Sequence, residues 1–317
     1  MHAVTIVDDE IIWQEHVDPA PGNGELLVAV RAAGLNGADM MQRRGLYPAP
    51  PGVPADIPGL ELAGEVVATG PGVTRFAAGE RVMAVVSGGG QAELAVVHER
   101  HALTVPASVD WPEAGGFPEV FTTAHDALFT QCELTVGERV LVHGAAGGVG
   151  MAGIQLAARA GAEVVATVRA AELRTAVAEI GAACGAVEVI EPDAFAGHGP
   201  FDVVLELVGA PNFPADLDAL ATGGRIAIIG VGGGATTELN LLTLMGKRGR
   251  VHGSTLRNRS LEEKAVAARA VERSVLPLLE RAVIHVPLAA AIPMADAASA
   301  YERFAAGGKL GKVVLVS

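Results

Sequence analysis

Residues 139–167 read R-V-L-V-H-G-A-A-G-G-V-G-M-A-G-I-Q-L-A-A-R-A-G-A-E-V-V-A-T, and they carry the clearest structural pattern in the chain. A short apolar run at 140–142 precedes a glycine-rich turn. An apolar-periodic helix is predicted from about Gly148 to Ala160, and a second apolar run follows at 163–167. Strand, turn, helix and strand in this order predict one β-α-β unit.

The turn inside this unit has the composition of a phosphate-binding loop. Its glycines allow a tight turn and a close approach of the backbone to a pyrophosphate. The N-terminus of the following helix offers unpaired N–H groups and the positive end of its dipole. We therefore predict that a dinucleotide binds at residues Gly144, Ala145, Ala146, Gly147, Gly148, Val149 and Gly150.

The pattern of the chain changes near residue 119. Earlier residues form short apolar strands separated by Gly and Pro, which indicates a β-rich domain. Later residues alternate helices with apolar strands, which is typical of a doubly wound parallel sheet. We expect an α/β protein with a β-rich domain at 1–118, a Rossmann cofactor-binding domain at 119–260, and a C-terminal segment at 261–317 that returns to the first domain.

Two further segments have distinct patterns. Tyr47–Pro58 is rich in proline and is predicted to be a surface loop, because its P-A-P-P-G blocks both helix and strand. Ser260–Arg281 is predicted to be one long helix that opens with a capping box of Ser260 and Glu263.

Composition and charge exclude several classes of partner. The chain has 317 residues and a net charge of −13. Binding to nucleic acid or to an anionic membrane requires clustered Lys and Arg. The basic segments Lys247–Arg250 and Arg257–Arg259 are interpreted as a solvated face. No apolar run reaches the roughly 18 residues of a membrane span. The acidic start resembles no signal peptide, so a cytoplasmic protein is expected.

Metal and disulfide chemistry also lack the usual residues. The two cysteines, Cys132 and Cys184, form neither a disulfide framework nor a C-x-x-C knuckle, and they suit a reducing compartment. His98 and His101 are the only close histidine pair, and no cysteine lies nearby to complete a zinc site. We predict no bound metal.

The residues after the second strand bear on the choice of coenzyme. An NAD site usually has Asp or Glu at this strand end, to accept from the ribose 2′-hydroxyl. Here the position holds Thr167, Val168 and Arg169, and a guanidinium is suited to a 2′-phosphate. We predict NADPH, with Thr167 and Arg169 in its site. Glycines after the strand Arg225–Ile229, Gly230 and Gly232 among them, are candidates for contact with the nicotinamide in a crevice between domains.

The chain resembles the medium-chain dehydrogenase/reductase superfamily over nearly its whole length, and within it the zinc-free quinone oxidoreductase, or zeta-crystallin-like, branch. The resemblance rests on A-A-G-L-N-G-A-D-M-M-Q-R-R-G-L-Y (32–47), P-G-L-E-L-A-G-E-V-V-A-T-G-P-G-V (58–73), H-G-A-A-G-G-V-G (143–150) and L-G-K-V-V-L (310–315). It implies that the β-rich domain is a GroES-like catalytic domain.

The resemblance also assigns roles to single residues. Asn36 stands where the zinc enzymes of the superfamily have Cys, which implies hydride transfer without zinc. Asn36 and Tyr47 would donate hydrogen bonds to the substrate oxygen, Gln91 would contact substrate, and Thr123 and Lys312 would contact cofactor. The alternatives are that Asn36 caps a helix and that Tyr47 packs in its loop, and the roles in the reaction are favoured over both. Gly147 departs from relatives that have Ser at this position.

These features favour an NADPH-dependent quinone oxidoreductase. One alternative is a reductase of α,β-unsaturated ketones or enoyl thioesters, since the same hydride chemistry serves both. Another is a non-catalytic, crystallin-like or RNA-associated protein, against which the missing basic stripe argues. A homodimer is expected, because the predicted strand at Arg250–Thr255 would lie at the edge of its sheet.

Overall fold

The computed structural model describes all 317 residues, and they divide into two compact units. The first unit comprises Met1–Glu119, Leu256–Gly307 and Lys312–Ser317, and the second comprises Val120–Thr255 and Gly308–Gly311. The sequence-predicted boundary between residues 260 and 261 therefore falls five residues late. The boundary lies before Leu256 because Arg257 already makes its hydrogen bonds to residues of the first unit.

The first unit is built mainly of strands. Its elements are β1 (His2–Val7), β2 (Glu10–Glu15), β3 (Glu25–Gly34), α1 (Gly37–Arg43), β4 (Glu61–Thr69), β5 (Arg81–Val85), β6 (Leu94–His98), β7 (Ala102–Thr104), α2 (Trp111–Gly116), and, after the second unit, α8 (Leu261–Ser274), α9 (Leu276–Glu280), β14 (Leu288–Pro293), α10 (Ala297–Ala305) and β15 (Lys312–Val316).

Seven of these strands form one sheet in the order β14-β15-β3-β4-β5-β7, with β6 also paired to β3. Only β14 and β15 run parallel; the other neighbours are antiparallel. Alternate residues of β3, such as Leu26, Val28 and Val30, are buried against the core. The C-terminal strand β15 thus pairs with a strand from the N-terminal part of the chain.

The second unit is an open parallel sheet with helices. Its elements are α3 (Pro118–His125), a π-helical turn (Asp126–Gln131), β8 (Arg139–Val142), α4 (Gly148–Arg159), β9 (Glu163–Thr167), α5 (Ala171–Ala182), β10 (Val187–Ile190), β11 (Phe201–Glu206), α6 (Phe213–Ala219), β12 (Leu220–Ile228), α7 (Leu241–Lys247) and β13 (Arg250–Gly253). Helix α3 begins two residues before the division between the units.

The strand order of this sheet is β10-β9-β8-β11-β12-β13, with every pair parallel. From β8 the chain adds β9 and β10 on one side of the sheet, and it then returns to add β11, β12 and β13 on the other side. Ligands of open α/β sheets bind outside the carboxyl ends of the strands at such a switch point. The predicted α/β class, with a doubly wound sheet and a β-rich domain, is confirmed.

One predicted element is wrong in extent. The predicted helix Ser260–Arg281 is divided into α8 and α9 at Val275, whose φ is −109°. Pro277 lies in the first turn of α9, where a missing N–H is tolerated, whereas inside a continuous helix its ring would clash with the preceding turn. The predicted capping box at Ser260 is present. None of the helices combines the length and the apolarity that crossing a membrane requires.

Candidate active site

The glycine turn lies at the carboxyl end of β8, at the switch point of the second unit. Its backbone is held by Ala145 N–H, which donates to the Thr167 carbonyl (3.1 Å), and by Gly147 N–H, which donates to the Gly144 carbonyl (3.0 Å). A Cβ on Gly150 would lie 2.6 Å from the Cα of Ala145, so only glycine fits there.

Helix α4 begins directly after Gly147, which caps it without a side chain. The N–H groups of the first helical turn have no acceptors within a helix, and no capping side chain takes their place. Gly148 and Val149 of this turn are partly exposed, as are Ala146 and Gly147 before it. The geometry suits an anion such as a pyrophosphate at this helix N-terminus.

Arg169 and Thr167 follow β9 but face different surroundings. Arg169 is exposed, and no carboxylate stands at the strand end beside it. Thr167 is 2% exposed, and its hydroxyl lies 3.0 Å from Nδ1 of His143. The predicted cofactor contact of the Thr167 side chain is therefore not favoured; its role here is to hold the turn through its carbonyl and to fix His143.

The loop after β12 approaches the loop after β11 closely. A Cβ on Gly230 would lie 2.3 Å from the carbonyl oxygen of Leu207, so this glycine is required by backbone packing. A Cβ on Gly232 would meet nothing within 4 Å. A small pocket of about 50 Å³ lies beside these loops and is lined by Glu206, Phe213 and Val231 among others. Thr123, also predicted to contact cofactor, lies on α3 and is partly exposed.

A buried group of three titratable residues lies directly beneath the glycine turn. His143 Nε2 is 2.8 Å from Oδ1 of Asp216 and 3.9 Å from Oε2 of Glu206, and all three residues have an exposed fraction of 0%. Glu206 Oε1 accepts hydrogen bonds from the N–H groups of Val208 and Gly209. The group thus connects the carboxyl ends of β8 and β11 with α6.

Burial raises the pKa of both carboxyls in this group to about 7 and lowers the pKa of His143. Oε2 of Glu206 and Oδ2 of Asp216 have no hydrogen-bond partner. Two buried carboxyls near each other cannot both ionise at low cost, so one holds a proton at neutral pH. Three side chains that could each bind a metal, one imidazole and two carboxyls, meet here. The His143 ring and the Asp216 carboxyl instead bond to each other directly at 2.8 Å, and the absence of a bound metal stays a prediction.

In the first unit, a buried ammonium lies among polar side chains. Lys312 Nζ donates to the carbonyl of Leu35 (2.7 Å), to Oδ1 of Asn36 (2.7 Å) and to Oε1 of Glu61 (2.5 Å). The Asn36 amide nitrogen donates in turn to Glu61 Oε1 (2.9 Å) and to the carbonyl of Gly34 (3.3 Å). The side chains of Lys312 and Glu61 are 3% and 0% exposed.

This arrangement corrects two predicted roles. Lys312 was expected to contact cofactor, but its three donors are all used inside the first unit. Asn36 was expected to donate to a substrate oxygen, but both of its amide hydrogens already have acceptors. Asn36 is the N-cap residue of α1. Its backbone N–H donates to Oδ2 of Asp39 at 2.8 Å.

The side-chain oxygens of Asn36 and Glu61 are of the type that can bind zinc. Zinc requires three or four nitrogen, sulfur or oxygen ligands in a tetrahedral set. Asn36 and Glu61 instead share the Lys312 ammonium, so a cation of the protein already occupies the space between them. The arrangement of these residues therefore does not fit zinc.

Two more buried carboxyls belong to this region. Burial is the main cause that raises the pKa of Asp39 to about 6, although the N–H groups of Asn36 and Gly59 lower it. Burial also raises the pKa of Glu119 to about 8, with the charge of Glu61 adding to the effect. Oε2 of Glu119 has no hydrogen-bond partner. The first unit therefore holds protonatable groups close to Lys312.

Tyr47 and Gln91 have contrasting environments. Tyr47 is partly buried at the start of the proline-rich loop, which contains no helix or strand, as predicted. Gln91 is 0% exposed, and its Oε1 accepts the Tyr301 hydroxyl at 2.9 Å. The Gln91 amide nitrogen has no hydrogen-bond partner, so it retains the donors that its predicted role requires.

Several residues of these sites were missed from the sequence. Asp39 and Glu61 lie within the segments 32–47 and 58–73 that carry the resemblance, and His143 directly precedes the glycine turn. These positions could have identified them as candidates. Asp216 and Arg257 carried no such signal. The interpretation of Arg257 as part of a solvated face is wrong, because it is 2% exposed.

Comparison with known proteins gives whole-chain matches. Residues 22–130 match the alcohol dehydrogenase GroES-like domain, and residues 148–272 match the family described as zinc-binding dehydrogenase. The chain is 30% identical to the quinone oxidoreductase of Rattus norvegicus, over 95% of this chain and 91% of that protein.

Two further matches are informative. The structure of Escherichia coli quinone oxidoreductase complexed with NADPH superposes over 100% of both chains, with a TM-score of 0.87 and 26% identity. A segment of 208 residues, 65% of this chain, is 40% identical to polyketide synthase GfsB of Streptomyces halstedii and covers 4% of that protein.

Proposed function

Because the chain belongs to the zinc-free quinone oxidoreductase branch of the medium-chain dehydrogenase/reductase superfamily, we propose that it is an NADPH-dependent quinone reductase. The observation that carries the proposal is the glycine turn at the switch point of the second unit, where Gly150 admits no side chain and the first turn of α4 is uncapped. The chain is an oxidoreductase of this superfamily, and the coenzyme and quinone substrate are the finer parts of the proposal.

NADPH fits the residues of the second unit. The turn at Gly144–Gly150 and the N–H groups of Gly148 and Val149 would hold the pyrophosphate. Arg169, which is exposed and has no competing carboxylate, would hold the 2′-phosphate. The bound coenzyme supplies a hydride. The NADPH bound in the structure of the E. coli quinone oxidoreductase supports the same choice.

The substrate acquires negative charge on its carbonyl oxygen as hydride arrives, and a prearranged donor lowers this barrier. We assign that donor to Tyr47. Gln91 is assigned a substrate contact, since its amide nitrogen has no partner inside the protein. Asn36 is assigned a positioning role, because it holds Lys312 rather than a substrate. With Lys312 between Asn36 and Glu61, the chemistry is proposed to proceed without zinc.

A second candidate is the reduction of enoyl thioesters. It is favoured by the 40% identity to a segment of polyketide synthase GfsB, which exceeds the identity to the rat quinone oxidoreductase. Both reactions deliver hydride to an electron-poor carbon conjugated to a carbonyl. The proposed roles of Tyr47 and Arg169 are the same in each.

We also propose a homodimer formed through the edge of the second unit's sheet. Strand β13 has a partner on one side only, β12. Helix α7 beside it exposes Leu241, Leu242 and Met245 at 63%, 78% and 70%. An apolar helix next to an open strand edge is suited to pairing with a second copy about a two-fold axis.

The deciding experiment measures NADPH oxidation by the purified protein with quinones, enones and an enoyl thioester, before and after prolonged chelation. Turnover of quinones that survives chelation is expected. A higher kcat/KM for the enoyl thioester than for the quinones would favour the second candidate function. NADPH binding without turnover of any substrate would leave the non-catalytic alternative, and stoichiometric zinc by elemental analysis would contradict the zinc-free chemistry.

A further inference from the structure

Arg257 is the largest fully buried side chain of the molecule, at 2% exposure. A buried guanidinium normally has a carboxylate partner, because taking it from water costs several kcal/mol. No carboxylate forms an ion pair with Arg257. Its N–H groups instead donate to uncharged oxygens and it lies over an aromatic ring, while the carboxyls of Asp39 and Glu119 act on its charge without contacting it. A charge held inside a protein in this way indicates a role beyond packing.

Four contacts hold the guanidinium, all within the first unit. Nε donates to the carbonyl of Ser87 (2.8 Å), one terminal nitrogen donates to the carbonyl of Tyr47 (2.7 Å), and the other donates to Oε1 of Gln42 (2.6 Å). The guanidinium carbon lies 5.0 Å from the centre of the Tyr47 ring. Three of the five N–H groups of the guanidinium, one on each nitrogen, therefore donate to a defined oxygen.

These contacts secure both ends of the proline-rich loop. Tyr47 at its start is bonded directly. Gln42, which accepts from Arg257, donates through its amide nitrogen to the carbonyl of Ala55 near the loop's end (3.1 Å). Ser87 is fixed from its other side by Lys264, whose ammonium donates to the Ser87 hydroxyl at 2.6 Å.

We propose that Arg257 is a positioning residue for Tyr47: its guanidinium fixes the backbone at Tyr47 and lies over the ring, so that the phenol is both oriented and made a stronger hydrogen-bond donor toward the substrate oxygen. This inference rests on the proposed function, in which Tyr47 is that donor. Arg257 is 210 residues from Tyr47 in the chain and lies in no recognised motif, yet it would contribute to the reaction.

The physical reason for the stronger donor is electrostatic. A phenol that donates to a developing oxyanion acquires partial negative charge on its oxygen and ring. A cation about 5 Å from the ring centre, shielded from water, stabilises that charge more than a solvated one would. The effect increases in the transition state, so it raises turnover rather than substrate affinity.

The contact can be tested without measuring activity, because the chain has two tyrosines, Tyr47 and Tyr301. In protein labelled with 3-fluorotyrosine, two ¹⁹F resonances are expected, and Tyr47→Phe assigns them. Arg257→Met should shift and sharpen the Tyr47 resonance, because the ring loses its cation and gains mobility, and should leave that of buried Tyr301 in place. Arg273→Met, at an exposed arginine on α8, is the matched control and should change neither.

The kinetic test is a double-mutant cycle. Arg257→Met should lower kcat roughly 10- to 100-fold with NADPH affinity unchanged, and should change kcat less than about threefold in a Tyr47→Phe background. Arg257→Lys keeps the charge without the planar fork, so its kcat should lie between those of Arg257→Met and the native protein. It also serves as the measurable variant if Arg257→Met does not fold.

The outcomes separate this inference from the proposed function. An unchanged Tyr47 resonance in Arg257→Met, or an equal loss of kcat in both backgrounds, overturns the positioning role even if Tyr47 proves to be the donor. If kcat of the Tyr47→Phe variant equals that of the native protein, the donor role of Tyr47 is overturned. The catalytic part of the inference then fails as well, whatever the spectra show.

Discussion

The ammonium of Lys312 lies 2.7 Å from Oδ1 of Asn36 and 2.5 Å from Oε1 of Glu61, in a part of the first unit closed to solvent. A lysine of the last strand thus neutralises a carboxylate of β4 and binds the residue at the position of a zinc ligand in metal-dependent members of the superfamily. The same three residues explain why Asn36 is not free to act on a substrate.

This cluster predicts a large effect on stability. Lys312→Met should lower the free energy of unfolding by about 3–5 kcal/mol, because it leaves the buried Glu61 carboxylate without a partner. Urea unfolding measures this loss. The double variant Glu61→Gln/Lys312→Met should cost less than the sum of the two single changes. A loss for Lys312→Met within the roughly 0.5 kcal/mol typical of surface changes would contradict the cluster's role.

Arg169→Ala should weaken NADPH binding by roughly tenfold or more and spare NADH, since tenfold corresponds to about 1.4 kcal/mol and one charge-assisted contact is lost. Coenzyme titration followed by NADPH fluorescence measures both affinities. Arg159→Ala removes an exposed arginine at the C-terminal end of α4 and should leave both unchanged. Equal affinities of the native protein for NADPH and NADH would exclude the proposed coenzyme choice.

Tyr47→Phe should lower turnover by about 10- to 1000-fold if the phenol donates to the substrate oxygen in the transition state. NADPH affinity and thermal stability should stay as in the native protein. Steady-state kinetics with a quinone and direct NADPH titration measure these quantities. Unchanged turnover would mean that Tyr47 packs the loop only, whereas a parallel loss of NADPH affinity would mean that the substitution disturbs the loop itself.

The buried group beneath the glycine turn predicts a pH dependence. The pKa of Asp216 is raised to about 7, so between its unfolded value and pH 7 the native state binds more protons than the unfolded state. The stability contributed by the protonated carboxyl is therefore present at low pH and lost as pH rises toward about 7. The lowered pKa of His143 acts in the opposite direction, since stability then falls as pH decreases.

A difference measurement isolates the carboxyl. The stability of the native protein relative to Asp216→Asn should fall by on the order of 1–3 kcal/mol between pH 5 and pH 8. Asp218→Asn, at an exposed position on the same helix, should show no such trend. A relative stability of Asp216→Asn that does not change with pH would show that the carboxyl is ionised throughout the range.

Leu242→Glu should convert the proposed dimer into a monomer, because a charge would be placed in the apolar surface of α7. Sedimentation at micromolar concentration measures the mass. Val136→Glu makes the same change at a position that is 81% exposed outside α7 and β13, and it should leave the mass unchanged. A native protein that sediments with the mass of one chain would refute the dimer.

Much of the second unit could be predicted from the sequence because its signals are local. The strand β8, the turn and α4 occupy 139–159, and the predicted boundaries differ from those observed by at most one residue. Apolar periodicity and glycine spacing involve residues that are close in the chain, so they can be recognised without knowledge of tertiary contacts. The predicted edge position of the strand at Arg250–Thr255 rested partly on the resemblance to the superfamily, and β13 does lie at one end of its sheet.

Local patterns in the chain were enough to predict the α/β class, the glycine turn and the position of the proline-rich loop. Which polar groups meet depends on the tertiary fold. Glu61 and Lys312 are 251 residues apart, Tyr47 and Arg257 are 210 apart, and His143 and Asp216 are 73 apart. Nothing in a local pattern distinguishes a lysine that will be buried beside a carboxylate from one in solvent, because that outcome depends on strand pairing and packing across the whole fold.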